Sequence, residues 1–214
     1  MPFSTEEFLK IFEQYNVSVW PMQIALNLLA LIVIALVVVK NKKADKIINV
    51  ILAFFWIWMG IVYHWLNFST INKAAYFFGT VFIIQGLLFM VYGAVKPNII
   101  NYKFRRHPVQ ILGMAFILYA LVVYPVLAKS FGHVYPKTPT FGLPCPTTIF
   151  TFGILLFSLK RMAWYMVIIP FLWSLIGFSA AISLGIKEDI GLIVAGILGT
   201  LILLFVKPKK VITP

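Results

Sequence analysis

Acidic side chains are scarce in this chain, with six Asp and Glu against 18 Lys and Arg among 214 residues. No pair of carboxylates falls inside an apolar run, which argues against a proton relay built from buried acids. Cysteine is scarcer still: Cys145 stands alone, so an internal disulfide framework and a Cys-x-x-Cys metal or redox pair are both excluded. The redox compartment therefore does not follow from cysteine usage. There is no phosphate-cradling glycine loop, no Gly-x-Ser-x-Gly elbow and no His-Glu-x-x-His motif. The last apolar run holds no lysine at mid-depth, which disfavours a Schiff-base pigment. The first eighteen residues lack a signal peptide's basic start and small-residue cleavage site, carrying Glu6, Glu7 and Glu13 instead. That segment is expected to be retained.

Apolar length is plentiful. The chain is 62% hydrophobic and 11% charged, whereas soluble domains carry about 25% charged residues. Lipid cannot hydrogen-bond a backbone, so about 20 apolar residues wound as a helix form the minimal self-satisfied crossing. The sequence predicts an all-α membrane protein, a single domain over 1–214, with seven transmembrane helices at 22–39, 47–67, 74–95, 109–128, 147–159, 163–184 and 190–206. The fifth is short and must recruit Pro144 to Pro146 or the stem of Lys160 to span. Ahead of the bundle, residues 1–20 read as an amphipathic interfacial helix. Phe8, Leu9, Ile11, Phe12 and Tyr15 have helical spacing there, with Ser4 or Thr5 as cap.

With seven crossings, Lys40, Lys42, Lys43, Lys46, Lys96, Lys103, Arg105, Arg106, Lys160, Arg161, Lys207, Lys209 and Lys210 share one side. Lys10, Lys73, Lys129, Lys137 and Lys187 face the other, diluted by acids. The positive-inside rule places the amino end outside and the carboxyl end in the cytoplasm. Trp20, Trp65 and Tyr135 fall where an outer aromatic belt belongs. The net charge of +12 then reads as lipid anchoring and not as nucleic-acid binding. The run Lys103, Arg105, Arg106, His107 is a topology anchor by default.

One gapless register lays residues 43–87 over 160–204, matching Trp56 to Trp173, Gly60 to Gly177 and Gly79 to Gly196. A true duplication would make a parallel three-plus-one-plus-three repeat about an inverting fourth helix, as in some small transporters. Chance matching within a restricted set of residue types accounts for the same register.

Polar residues gather toward the outer half: His64 beside Tyr63, Gln85 at mid-depth, Cys145 with Thr147, Thr148 and Thr151, then Glu188 and Asp189, and Gln23 and Asn27 in the first crossing. Polar groups in lipid turn inward to a partner or a wet cavity. The expected ligand-binding set is His64, Tyr63, Gln85, Cys145, Thr148 and Thr151, around an outward cavity. Cys145 lies between two prolines, on what reads as a non-helical backbone. The plain readings are an interfacial ring for His64, a small apolar filler for Cys145, and a helix-to-helix hydrogen bond for Gln85. A metal centre of His64, Cys145 and His133 would require three distant segments to converge.

Met1-Pro2-Phe3-Ser4-Thr5-Glu6, Tyr63-His64-Trp65 with Ile71-Asn72, Gln85-Gly86-Leu87-Leu88-Phe89 and Thr140-Phe141-Gly142 followed by Pro144-Cys145-Pro146-Thr147-Thr148-Ile149-Phe150-Thr151 carry a likeness. Across nearly its whole length the chain resembles an uncharacterised bacterial integral-membrane family, a domain of unknown function whose members are sometimes labelled transporter permeases. The resemblance implies no reaction, cofactor or catalytic residue. The expectation is a small transporter of the bacterial inner membrane, partnered by lipid and by an unidentified small molecule or ion, with homo-oligomer formation open. The rivals are a membrane metal or redox enzyme using His64 and Cys145, and a structural or sensory subunit.

Overall fold

Long apolar runs, rich in Leu, Ile and Phe and low in Pro, wind into helices because winding satisfies every backbone group internally. The computed structural model describes residues 2–39, 42–96 and 100–206. Lys40, Lys207, Lys209 and Lys210, together with both chain ends, Met1 and Pro214, lie outside the described residues, as does the Lys42 side chain. The elements in order are α1 (Thr5–Ser18), α2 (Met22–Val38), α3 (Lys42–Trp58), α4 (Ala75–Leu88), α5 (Pro108–Leu118), α6 (Tyr124–Ser130), α7 (Pro144–Leu155), α8 (Ile168–Leu184) and α9 (Ile190–Phe205). The fold is all-helical.

Three helices do not stop at these limits. They loosen into π-turns at Met59–Trp65, Phe89–Val95 and Tyr119–Val123, with amides reaching back five residues, as from Leu66 to Ile61 at 3.0 Å. Counted through these segments, Lys43–Thr70, Ala75–Val95, Pro108–Ser130 and Lys187–Phe205 are long and apolar enough to cross a membrane. The pair α1 and α2, bent by 85° at Pro21, makes a fifth if read as one span. By length the structure thus offers four or five crossings where the sequence predicts seven, because α7 has 12 residues and α8 has 17. At 1.5 Å per residue α7 is about 18 Å long, short of a hydrocarbon core of about 30 Å.

That short helix is the hub. Every residue of α7 except Cys145 is buried. A methyl group on Gly113 of α5 would come within 2.8 Å of the Gly153 carbonyl oxygen of α7, so these two backbones touch. Phe152 packs on Gly199 of α9, and Phe150 meets Phe55 of α3 edge to face at 6.2 Å. The sequence reading has Cys145 on irregular backbone, but it sits in the first turn of α7. Prolines at that turn lose no needed N–H, and their fixed φ suits the helix start.

The flanks facing away from this core carry large apolar side chains in the open, among them Leu28 and Leu31 on α2, Phe77 on α4, Ile111 on α5 and Leu201 on α9. At the end of the bundle that holds Lys43, Lys103 and Arg161, loops are laced to helices. Asp45 accepts from the Tyr102 amide at 2.9 Å, and the Tyr102 hydroxyl donates to Asn49 at 3.0 Å. Burial pushes the Tyr102 phenol up, so it stays a donor. The Arg161 guanidinium donates through two nitrogens to the Leu204 carbonyl in the last turn of α9, at 2.9 Å from Nε.

Within the repeat register, the two helix pairs meet at different points. Gly60 of the α3 extension touches Gly79 of α4, whereas their counterparts do not meet: Gly177 faces Leu192, and Gly196 faces Ser174. The counterpart of the π-turn after Trp58 is regular α-helix in α8.

Candidate functional site

At the end away from the basic loops, the chain closes over a cavity of about 170 Å³. Its roof is α1 with the residues just before it. Ser4 caps α1 by accepting from the Glu7 amide at 3.2 Å, and Glu7 returns a carboxylate to the Ser4 amide at 2.7 Å. The apolar face so fixed buries Ile11, Phe12 and Tyr15. Phe8 and Phe12 lie 4.6 Å apart, and Phe68 stacks on Tyr63 at 5.7 Å. Asn16 pins the roof to the loop before α7, donating to the Pro136 and Thr138 carbonyls at 2.7 and 2.8 Å. Tyr15 donates to the Gly142 carbonyl and accepts from Trp58. Burial raises its phenol well above the usual value, against the opposing effect of the Trp58 donor.

The floor gathers polar groups from four elements: Tyr63 from the π-turn of α3, Tyr124 from α6, Cys145 from α7 and Asp189 from the turn before α9. Asp189 stands at the N-terminal boundary of α9, yet its carboxylate caps no amide there. Instead it accepts from the Tyr124 hydroxyl at 2.5 Å, with Cys145 beside it in the cavity lining. The buried indole N–H of Trp173, which also lines the cavity, has no hydrogen-bond partner. Next door, Glu188 is fully buried and engages His133 at 2.8 Å, one carboxylate oxygen remaining unpartnered.

The family model described as Family of unknown function (DUF6064) matches residues 5–212. The chain belongs to this family. No curated protein and no solved structure matches it.

Of the residues the sequence singles out, Tyr63 and Cys145 line the cavity of this DUF6064 chain, and His64, Gln85, Thr148 and Thr151 do not. Successive side chains along a helical turn point in different directions, so with Tyr63 facing the cavity His64 turns toward α4 and α8. There Phe82 lies 4.6 Å and Trp173 5.1 Å from its ring, and neither nitrogen finds a partner. Gln85 donates to the Met166 carbonyl at 3.1 Å, tying α4 to the turn just before α8. The Thr148 hydroxyl is buried without a partner. Thr151 accepts from the Trp56 indole at 3.1 Å and donates to the Thr147 carbonyl at 2.8 Å. Among the described residues no three His, Cys, Asp or Glu converge as metal ligands, and His133 is taken up by Glu188 instead of joining His64 and Cys145.

Sequence reasoning left Tyr124, Trp173 and the phenylalanine roof out of the site, and placed Asp189 among the outer polar residues without counting it in the ligand-binding set. The available signal was position, since an acid directly before a long apolar run is held at the mouth of the bundle.

Proposed function

We propose that this DUF6064 chain is a multi-pass protein of the bacterial inner membrane that takes a small molecule from the outer side into the cavity beneath α1, in the manner of a permease. The cavity carries the reading. It lies at the end opposite the basic loops, over the buried α7, which suits a one-sided binding state. The apolar flanks support membrane residence, since a water-facing surface of Leu, Ile and Phe on this scale would aggregate. Three π-turns and a short central helix support a transport role, because interrupted helices at membrane depth recur where backbone lines a pathway.

In this reading the chain crosses seven times, with α2 and α8 spanning at minimal length and α7 tolerated because protein and not lipid surrounds both its ends. The amino end is outside and the carboxyl end cytoplasmic, after the loop charges. Tyr63 and Cys145 are the contact residues among those named from sequence. The membrane-metal-enzyme reading lacks a converging ligand set among the described residues.

Two measurements test this. Reporters fused at Pro2 and Pro214 are expected on opposite sides, and reports from one side would mean an even number of crossings. A membrane-impermeant maleimide added to intact cells is expected to label Cys145, and labelling confined to inside-out vesicles would reverse the orientation of the cavity.

A further inference from the structure

Resting on the reading of the cavity as an outward ligand site, we infer that its occupant is a small organic cation, an amine or quaternary ammonium whose charge sits against Asp189 and whose body packs on the aromatic roof. Asp189 is 4% exposed, and no Lys, Arg or His among the described residues forms an ion pair with it. Buried charges in proteins are ordinarily paired. Its hydrogen-bond neighbour, the Tyr124 hydroxyl, is a donor and brings no positive charge.

The lining sharpens the contrast. In a chain with a net charge of +12, the twenty lining residues include no Lys, Arg or His and one acid, Asp189. Eight of them are aromatic, and aromatic faces attract ammonium groups that a purely aliphatic wall would exclude. A hard metal ion would want six or more oxygen ligands, and the single carboxylate cannot supply that shell. The volume of about 170 Å³ resembles that of an engineered cavity of about 150 Å³ that holds benzene. The occupant is therefore of benzene-like size and not a peptide or a nucleotide.

The test uses the full-length protein in lipid nanodiscs, with the rate of Cys145 alkylation by N-ethylmaleimide as readout. The probes are choline and its uncharged isostere 3,3-dimethylbutan-1-ol. Choline is expected to slow alkylation about fivefold or more at saturation while the isostere leaves it nearly unchanged. Protection is read as the ratio of rates with and without probe, because Asp189 and Cys145 line the same cavity. Asp189→Asn is expected to weaken choline protection about tenfold or more, and Asp189→Glu to retain most of it. Phe8→Leu, a change in the roof away from the buried floor, should raise the choline concentration needed by about two- to fivefold. Equal protection by both probes, or full protection in Asp189→Asn, overturns the cation assignment and leaves the cavity standing. Rapid alkylation that neither probe slows overturns it likewise. A Cys145 that does not react at all overturns the outward cavity itself, and the proposed function with it.

Discussion

The buried indole of Trp56 hangs on one hydroxyl. Thr151 accepts its N–H at 3.1 Å, and Thr151→Val keeps the shape while removing the acceptor. An orphaned buried donor costs about 1–3 kcal/mol, so the variant is expected to unfold at lower temperature in detergent, and Trp56→Phe in that background should recover much of the loss. An unchanged melting temperature would mean the pair contributes nothing. His64 is the reverse case. Its two nitrogens are already unpartnered among aromatic rings, so His64→Phe removes a desolvation cost and is expected to leave stability equal or higher. A large loss of stability would show a partner for the ring. That polar residues in apolar runs turn inward is legible from sequence. Which partner each one meets is not, because an inward face can meet any of several neighbouring helices.

At the level of elements, glycines decide how closely helices approach. A methyl on Gly60 would lie 2.7 Å from the Gly79 carbonyl oxygen, and one on Gly153 would lie 2.9 Å from that of Gly113. Backbone cannot rotate away as a side chain can. Gly113→Val and Gly60→Val are each expected to destabilise by about 1–3 kcal/mol through overpacking, read by thermal unfolding in detergent; tolerance would mean the helices separate freely.

The roof helix α1 has its own dependence on pH. The Ser4 amide, and after it the Ser4 hydroxyl, hold the Glu7 carboxyl below its usual range, with desolvation opposing weakly. A lowered folded-state value stabilises the capped helix above the ordinary carboxylate pKa of about 4.3 and loses that contribution as pH falls through the folded value. Trp58 donates to Tyr15 of α1, so its fluorescence should report loosening of α1 below about pH 4. Ser4→Ala should flatten that transition, and an identical profile would assign it to other groups. The existence and face of α1 were readable from Phe8, Phe12 and Tyr15. The π-turns were not, since they arise where a helix accommodates its neighbours and leave no fixed residue pattern.

For the whole molecule, α7 separates a crossing written in sequence from one made by assembly. Residues 75–95 form an apolar helix of 21 residues. The segment 144–155 forms 12, nearly all buried inside the bundle. Placed in a host protein and scored for membrane insertion, 75–95 is expected to insert fully and 144–155 poorly. Efficient insertion of 144–155 alone would make it an ordinary crossing and remove the hub from the argument.

Sequence by itself determined the helical, lipid-length character of this protein, the amphipathic helix before the bundle and the family to which it belongs. These depend on local quantities: apolar run length, spacing within a turn, and motif identity. The cavity was decided only by tertiary structure. Tyr63, Tyr124, Cys145 and Asp189 come from four elements as much as 126 positions apart, from residue 63 to residue 189. Their meeting depends on glycine contacts and on the wrapping of α7, which no local pattern encodes. The same packing turned His64 away from the cavity and gave Asp189 its place there.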